Sequence, residues 1–190
     1  MLSAAAATGS TEAVQTAALT AAVLEHGDPL RRELRDTYGA DLDLRVDLLK
    51  QARAGNFSPE LAGGAARRIL KEAERLEKLA GRPADGHTAS TGYEASPGNL
   101  LLSAYPDRIA RRTAAGHGPG TEAASTSGPA GSSTARYRLA AGPEARLVHG
   151  DRGFAPEWIV AGALHRGQRE GRIYLAAALS EAEVQTFTTA

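Results

Sequence analysis

Asn99 to Arg112 reads NLLLSAYPDRIARR, and this stretch decides the fold. Leu100, Leu101, Leu102 and Ala104 form an apolar run, Tyr105-Pro106-Asp107 interrupts it, and Arg108, Arg111 and Arg112 then cluster around Ile109 and Ala110. Upstream, apolar residues recur at helical spacing. Downstream, past a stretch rich in Gly, Ser and Thr, they come in short alternating runs. The stretch is therefore the joint between a helical part and a β part, and it combines apolar anchoring with clustered positive charge. Both sides of it read as helical, with a kink at Pro106. On that reading Arg108, Arg111 and Arg112 stand at i, i+3 and i+4 and share one helix face opposite Ile109.

Working outward toward the N-terminus, residues 1–10 are small and polar and are expected to be disordered. Thr11 to Glu25 carries Val14, Ala17, Ala18, Ala21 and Leu24 on one helical stripe, and Gly27 supplies a stop. Asp28 before Pro29 suits an N-cap followed by proline at the first helical position, which predicts a short helix through Asp36. Asp41 is expected to cap a helix to Ala54, with Leu42, Val46 and Leu49 on its apolar face. Ser58-Pro59-Glu60 is expected to open a long helix to about Ala80, closed by Gly81 and Pro83. Ile69, Ala73, Leu76 and Ala80 form its apolar stripe. Arg67, Arg68, Lys71, Arg75 and Lys78 form a basic stripe interrupted by Glu72, Glu74 and Glu77. That stripe is either a solvated face laced with i,i+4 pairs or a phosphate-facing track. Residues 82–97 read as a Gly/Pro/Ser/Thr linker.

Toward the C-terminus, residues 113–134 are low in complexity and cannot bury enough apolar surface to order themselves, so a flexible loop is expected. From Ala135 the period changes. Tyr137, Leu139 and Ala141 alternate, as do Ala145 and Leu147. Trp158 to Leu164 and Ile173 to Leu179 are further runs, joined by a Gly-containing hairpin at His165 to Gly171. Ser180, with Glu183 three residues on, forms a capping box for a last helix to about Phe187. Four strands can be placed, which suggests a small barrel or part of one. The organisation expected is a disordered 1–10, a helical domain 11–112, a loop 113–134 and a β domain with a C-terminal helix at 135–190.

AYPDRIARR resembles the segment that closes the helical part of HrpB-type ATP-dependent RNA helicases, a DEAH-like group. Three later segments follow in that family's order: Tyr137-Arg138-Leu139-Ala140-Ala141-Gly142-Pro143-Glu144-Ala145-Arg146-Leu147, then Glu157-Trp158-Ile159-Val160-Ala161-Gly162-Ala163-Leu164, then Arg172-Ile173-Tyr174-Leu175-Ala176-Ala177-Ala178-Leu179-Ser180-Glu181-Ala182-Glu183-Val184. Asp28-Pro29-Leu30 and Ala40-Asp41-Leu42-Asp43-Leu44-Arg45 resemble the family's helical region. The resemblance implies an α+β chain: a ratchet-like helical bundle of the helicase accessory region, followed by a small OB-like antiparallel β-barrel. Five strands make an OB fold, so the fifth is expected to be missing, irregular, or hidden near Gly150 to Ala155. The family's usual connection at 113–134 is shorter, which marks the loop here as a surface insertion.

The same sequence excludes several functions. There is no GxxxxGK[ST] and no DEAH-like tetrad, so the phosphate cradle and magnesium site of a helicase motor are absent. The resemblance therefore implies an accessory piece with no ATPase activity alone and no cofactor of its own. ATP and magnesium belong to the parent helicase. With no cysteine, disulfides and thiolate sites are out. His26, His87, His117, His149 and His165 lack metal-ligand spacing. No serine sits in a GxSxG elbow, and Ser132 and Ser133 read as loop serines. Met1 to Ala7 lacks the pattern of a signal peptide, and no run reaches the ~18 residues of a membrane span, so cytoplasmic residence away from membranes is expected.

Lys+Arg and Asp+Glu each number 22, which argues against a stand-alone, strongly basic nucleic-acid binder. Any nucleic-acid contact should be local, and the candidates are Arg108, Arg111, Arg112, Arg136, Tyr137 and Arg138. Arginine forks fit phosphate oxygens, and a tyrosine ring can carry a stacked base. The competing reading has these arginines paired with acids on motor domains or at the domain interface. Trp158 reads as barrel core rather than as a stacking platform. Two functions stay open: a module that positions single-stranded RNA or DNA beside helicase motor domains, and a scaffold that binds those domains or a partner without touching nucleic acid.

Overall fold

A computed structural model of the chain describes residues 1–7, 10–81, 96–113, 135–142, 144–148, 154–165, 167 and 170–189. Of the loop expected at 113–134 all but Thr113, most of the linker at 82–97, His87, His117, His149, Ser132 and Ser133 lie outside the described residues. The chain is α+β, with helices mostly in the N-terminal part and a closed five-stranded barrel in the C-terminal part.

Helix α1 is Leu2–Ala7, where disorder was expected, and it is held by the burial of Ala5 against Ala13, Val14 and Ala17. Helix α2, Thr11–His26, is N-capped by Ser10, whose hydroxyl accepts from the Ala13 N–H, and ends at Gly27 with φ 87°. The short helix expected to start at Asp28 is displaced: a 3-10 turn covers Arg32–Leu34 and helix α3 follows at Arg35–Tyr38. Asp28 serves elsewhere, because its carboxylate receives the buried guanidinium of Arg45 at 2.9 Å. Arg45 also donates to the carbonyls of Asp41 and Gly39, at 2.6 and 2.7 Å. A wholly buried cation survives only with such partners. The two segments carrying the helical-region resemblance thus meet in one ion pair. Helix α4, Leu42–Arg53, is capped by Asp41 as expected. Helix α5, Gly63–Ala80, begins later than Ser58. Leu61 is instead bridged to Leu30, with the Ala62 N–H donating to the Pro29 carbonyl at 2.8 Å, so the backbone before α5 is extended.

The joint departs most from the helical reading. Helix α6, Pro97–Ala104, stops at Tyr105, because the residue before a proline is pushed out of the helical region. Pro106–Arg108 makes one 3-10 turn. Ile109–Arg112 is then not helix but strand β1. It pairs antiparallel with both β2, Arg136–Leu139, and β4, Trp158–His165. The order around the barrel is β1-β2-β3-β5-β4, where β3 is Glu144–Leu147 and β5 is Gly171–Leu179. The fifth strand is therefore β1, and closure removes the free edges that β2 and β4 would otherwise present. One pairing is not antiparallel: β3 and β5 run parallel. Helix α7, Glu181–Thr189, follows β5, with Ser180 and Glu183 bonded to each other as the capping box requires.

Two cores result. Inside the barrel lie Ala110, Tyr137, Leu139, Ala145, Leu147, Ile159, Ala161 and Ile173. On the other side of β4 and β5, Val160, Ala177 and Leu179 join Leu101, Leu102, Leu42 and Leu49 in the helical core. A fully buried leucine contributes about 2 kcal/mol, so this shared layer binds barrel to helices firmly. Gly162 is needed at the contact, where a Cβ would come within 2.9 Å of a Leu24 methyl. β5 is covered by β3 only through Ile173. Past that point the Ala176 N–H donates to the Ala40 carbonyl at 2.9 Å, and the Ala178 backbone bonds to the Asp43 carboxylate.

Candidate nucleic-acid interface

Of the six residues singled out by sequence, the three at the joint each contact a partner within the chain, and Arg111 and Arg112 do so at the surface. Arg108 donates to the Gly162 carbonyl at 3.0 Å, with its guanidinium 4.3 Å from the Tyr105 ring centre. Arg111 pairs with Glu157 at 2.9 Å and lies over the Trp158 ring. Arg112 donates to the Ala155 carbonyl at 3.0 Å. They do not share a helix face, because β1 sends Arg111 and Arg112 to opposite sides of the strand. Tyr137 is wholly buried in the barrel, and its hydroxyl donates to the Pro156 carbonyl at 2.9 Å. A ring with no exposed face cannot stack a base, so that role falls away for Tyr137. Trp158 is corrected too. It packs, partly exposed, on the helical core rather than in the barrel interior.

Arg136 and Arg138 fare differently, because both point outward on β2, alternating with buried Tyr137 and Leu139. The register then brings in residues the sequence reading passed over. Arg136 stands opposite Arg146 on β3, Arg146 opposite Arg172 on β5, and Arg172 opposite His165 on β4. Three arginines and a histidine thus form one row across four strands. A second row runs Trp158, Arg111, Arg138 and Glu144. Tyr174 is exposed two residues along from Arg172. The alternation of Glu144-Ala145-Arg146-Leu147 and of Arg172-Ile173-Tyr174 was a usable signal for these residues. What it could not give was the register that aligns them.

The face is not purely basic. Glu170 lies 3.5 Å from both Arg136 and Arg146, and Glu144 lies 3.8 Å from Arg138. With Glu157, three carboxylates oppose five arginines among the described residues, and two positive charges are left over there. Exposed pairs at such distances are worth little, so the guanidinium groups remain open to other anions.

On α5 one cation of the basic stripe, Arg75, pairs within the helix, and one of the interleaved acids, Glu77, pairs across to α4. Glu72 accepts from Arg75 at 2.9 Å, which holds its carboxyl below the ordinary range, and Glu77 accepts from Arg53 of α4 at 2.5 and 2.7 Å. Among the described residues no group of three or more His, Asp or Glu could hold a metal ion. No helix among the described residues is long and apolar enough to cross a membrane.

A barrel of this strand order, joined through a shared core to a helical layer, can be compared with known structures. The chain is similar to part of HrpB. The crystal structure of this DExH-box NTPase from E. coli matches at 25% sequence identity and a TM-score of 0.51. The match covers 92% of this chain and 16% of HrpB, so the likeness takes in helices and barrel together but only a sixth of the larger protein. No protein-family model matches the sequence, and no curated protein does.

Proposed function

We propose that this chain is a helicase-associated module, a block of helices and barrel that stands beside an ATP-driven motor and holds single-stranded RNA or DNA against the outward face of β2, β3 and β5. The observation that carries this reading is the cross-strand row Arg136, Arg146 and Arg172, with Tyr174 beside it, on a barrel similar to part of HrpB. OB-type barrels bind oligonucleotides on the face of strands 2 and 3 and on the loops after strands 1 and 4. Arginine forks suit backbone phosphates, and an exposed aromatic ring suits a base. ATP and magnesium chemistry belongs to the motor in this reading, and cytoplasmic residence follows from it.

With two unbalanced charges among the described residues the affinity should be modest, about 10⁻⁴ to 10⁻⁶ M near physiological salt. The test is a fluorescence-anisotropy titration of labelled single-stranded RNA with the full chain at low salt. Saturable binding that weakens with salt is expected, as is a loss of at least about tenfold in the triple variant R136A/R146A/R172A, at ~0.5 kcal/mol or more per contact. Absence of salt-sensitive binding at high micromolar concentrations refutes the nucleic-acid role.

The second reading, a scaffold that binds motor domains and no nucleic acid, is favoured by the pairing of Arg111 with Glu157 and of Arg138 with Glu144. Co-purification with a separately expressed motor domain, in the absence of RNA binding, distinguishes it.

A further inference from the structure

Glu170, immediately before β5, places one acidic side chain against the Arg136–Arg146 end of the arginine row. Glu170 puts Oε1 at 3.5 Å from Nε of Arg136 and Oε2 at 3.5 Å from Nε of Arg146. Its two oxygens are divided between two guanidinium groups, as the two free oxygens of a backbone phosphate would be. The placement is built in. Next to Glu170, Gly171 packs against Ala145, where a Cβ would lie 2.9 Å from the alanine methyl. Earlier in the hairpin, Gly167 lies so close to the Glu170 carbonyl that a side chain there would collide with it. Glycine at 167 and at 171 therefore avoids clashes with the Glu170 backbone and with Ala145 on either side of the residue that reaches Arg136 and Arg146. The contact is also loose, since charge-assisted bonds close to ~2.7–2.9 Å.

We infer that Glu170 is an internal occupant of a phosphate seat between Arg136 and Arg146, one that an incoming strand must displace. This rests on the nucleic-acid reading above and adds a regulating element to the same face. Displacing the carboxylate costs the strand part of its binding energy, and it raises the threshold against weak or isolated anions. A strand that engages Arg172 and Tyr174 as well offsets that cost with further contacts, whereas a lone phosphate has none to set against it and binds more weakly.

The experiment compares the full-length wild type with Glu170→Gln and Glu144→Gln by anisotropy against labelled single-stranded RNA, with thermal melts to verify folding. Both variants remove one negative charge from the same face, but only Glu170 bridges two arginines. Glu170→Gln should bind about threefold to tenfold tighter than wild type, from two exposed pairs released. Glu144→Gln should gain less than about twofold, from one looser pair. Equal gains in the two variants mean a general charge effect and overturn the seat, as does an unchanged Glu170→Gln, while wild-type binding keeps the broader reading intact. Binding by Glu170→Gln alone refutes wild-type binding as proposed above and overturns the seat with it. Binding by none of the three overturns both.

Discussion

Arginines fill two regions of this molecule and do opposite things there. At the joint, Arg108 and Arg112 reach backbone carbonyls, and Arg111 closes on Glu157 and Trp158. On β2, β3 and β5, Arg136, Arg138, Arg146 and Arg172 stand outward with at most loose carboxylate contacts among the described residues. The difference comes from strand geometry. A side chain beside a chain turn finds unpaired carbonyls close by, whereas one in mid-ladder finds the carbonyls already used by the neighbouring strands. Clustered arginines in a sequence therefore do not mark a binding face until the register is known.

The sharpest way to break this comparison is at its inner extreme, Arg45. Its replacement by alanine leaves Asp28 with only the longer 3.7 Å contact to Arg35, and two carbonyls without their donor, and should cost about 3–5 kcal/mol, read as a lower urea midpoint. A loss below ~1 kcal/mol would show that this buried pair holds little together.

Next in size is the acidic counterpart at the barrel–helix contact. Burial, followed by the charges of Asp41 and Asp47, pushes the Asp43 carboxyl up from 3.8 to about 6, against the pull of the Ala178 backbone bond. The folded carboxyl holds its proton more tightly than the unfolded one. Its stabilising contribution is therefore complete below 3.8 and is lost as pH rises through about 6. Asp43→Asn should stabilise the chain by about 2–3 kcal/mol at pH 7 and by little at pH 4. Glu60 and Glu72, held low by hydrogen bonds from Tyr38 and Arg75, work in the opposite direction. The wild-type-minus-variant difference isolates Asp43, and a difference that does not change with pH contradicts the assignment.

Arg108→Ala comes third. It removes a partly buried bond to the Gly162 carbonyl and the stacking on Tyr105, and should cost about 1–2 kcal/mol in denaturant titration with RNA affinity unchanged. The smallest effect is expected at Arg111. It is 61% exposed and its partner Glu157 62%, so Arg111→Ala should change stability by less than ~1 kcal/mol.

Much of this was legible in the sequence, for reasons that particular residues make clear. Asp41 and the pair Ser180 and Glu183 announced their caps, and the alternation after Ala135 announced strands. Ile109-Ala110-Arg111-Arg112 misled because its composition suits a helix. It becomes a strand because Pro106 ends α6 and because β2 and β4 both need a partner, and β2 and β4 come later in the chain. Tyr137 misled for a related reason. Flanking arginines made it look exposed, but in a strand the neighbours of an outward residue point inward. Register, which aligned Arg146 and Arg172 with Arg136, is set by barrel closure and has no local signature.

The most direct test sets the two arginine groups against each other in one measurement of RNA affinity and unfolding free energy, using R136A/R146A/R172A and R108A/R111A/R112A. The outward variant should lose at least about tenfold in affinity and keep its stability, while the joint variant should lose stability and bind RNA as the wild type does. The reverse pattern, with affinity lost at the joint and retained on the barrel face, contradicts the assignment of the binding surface.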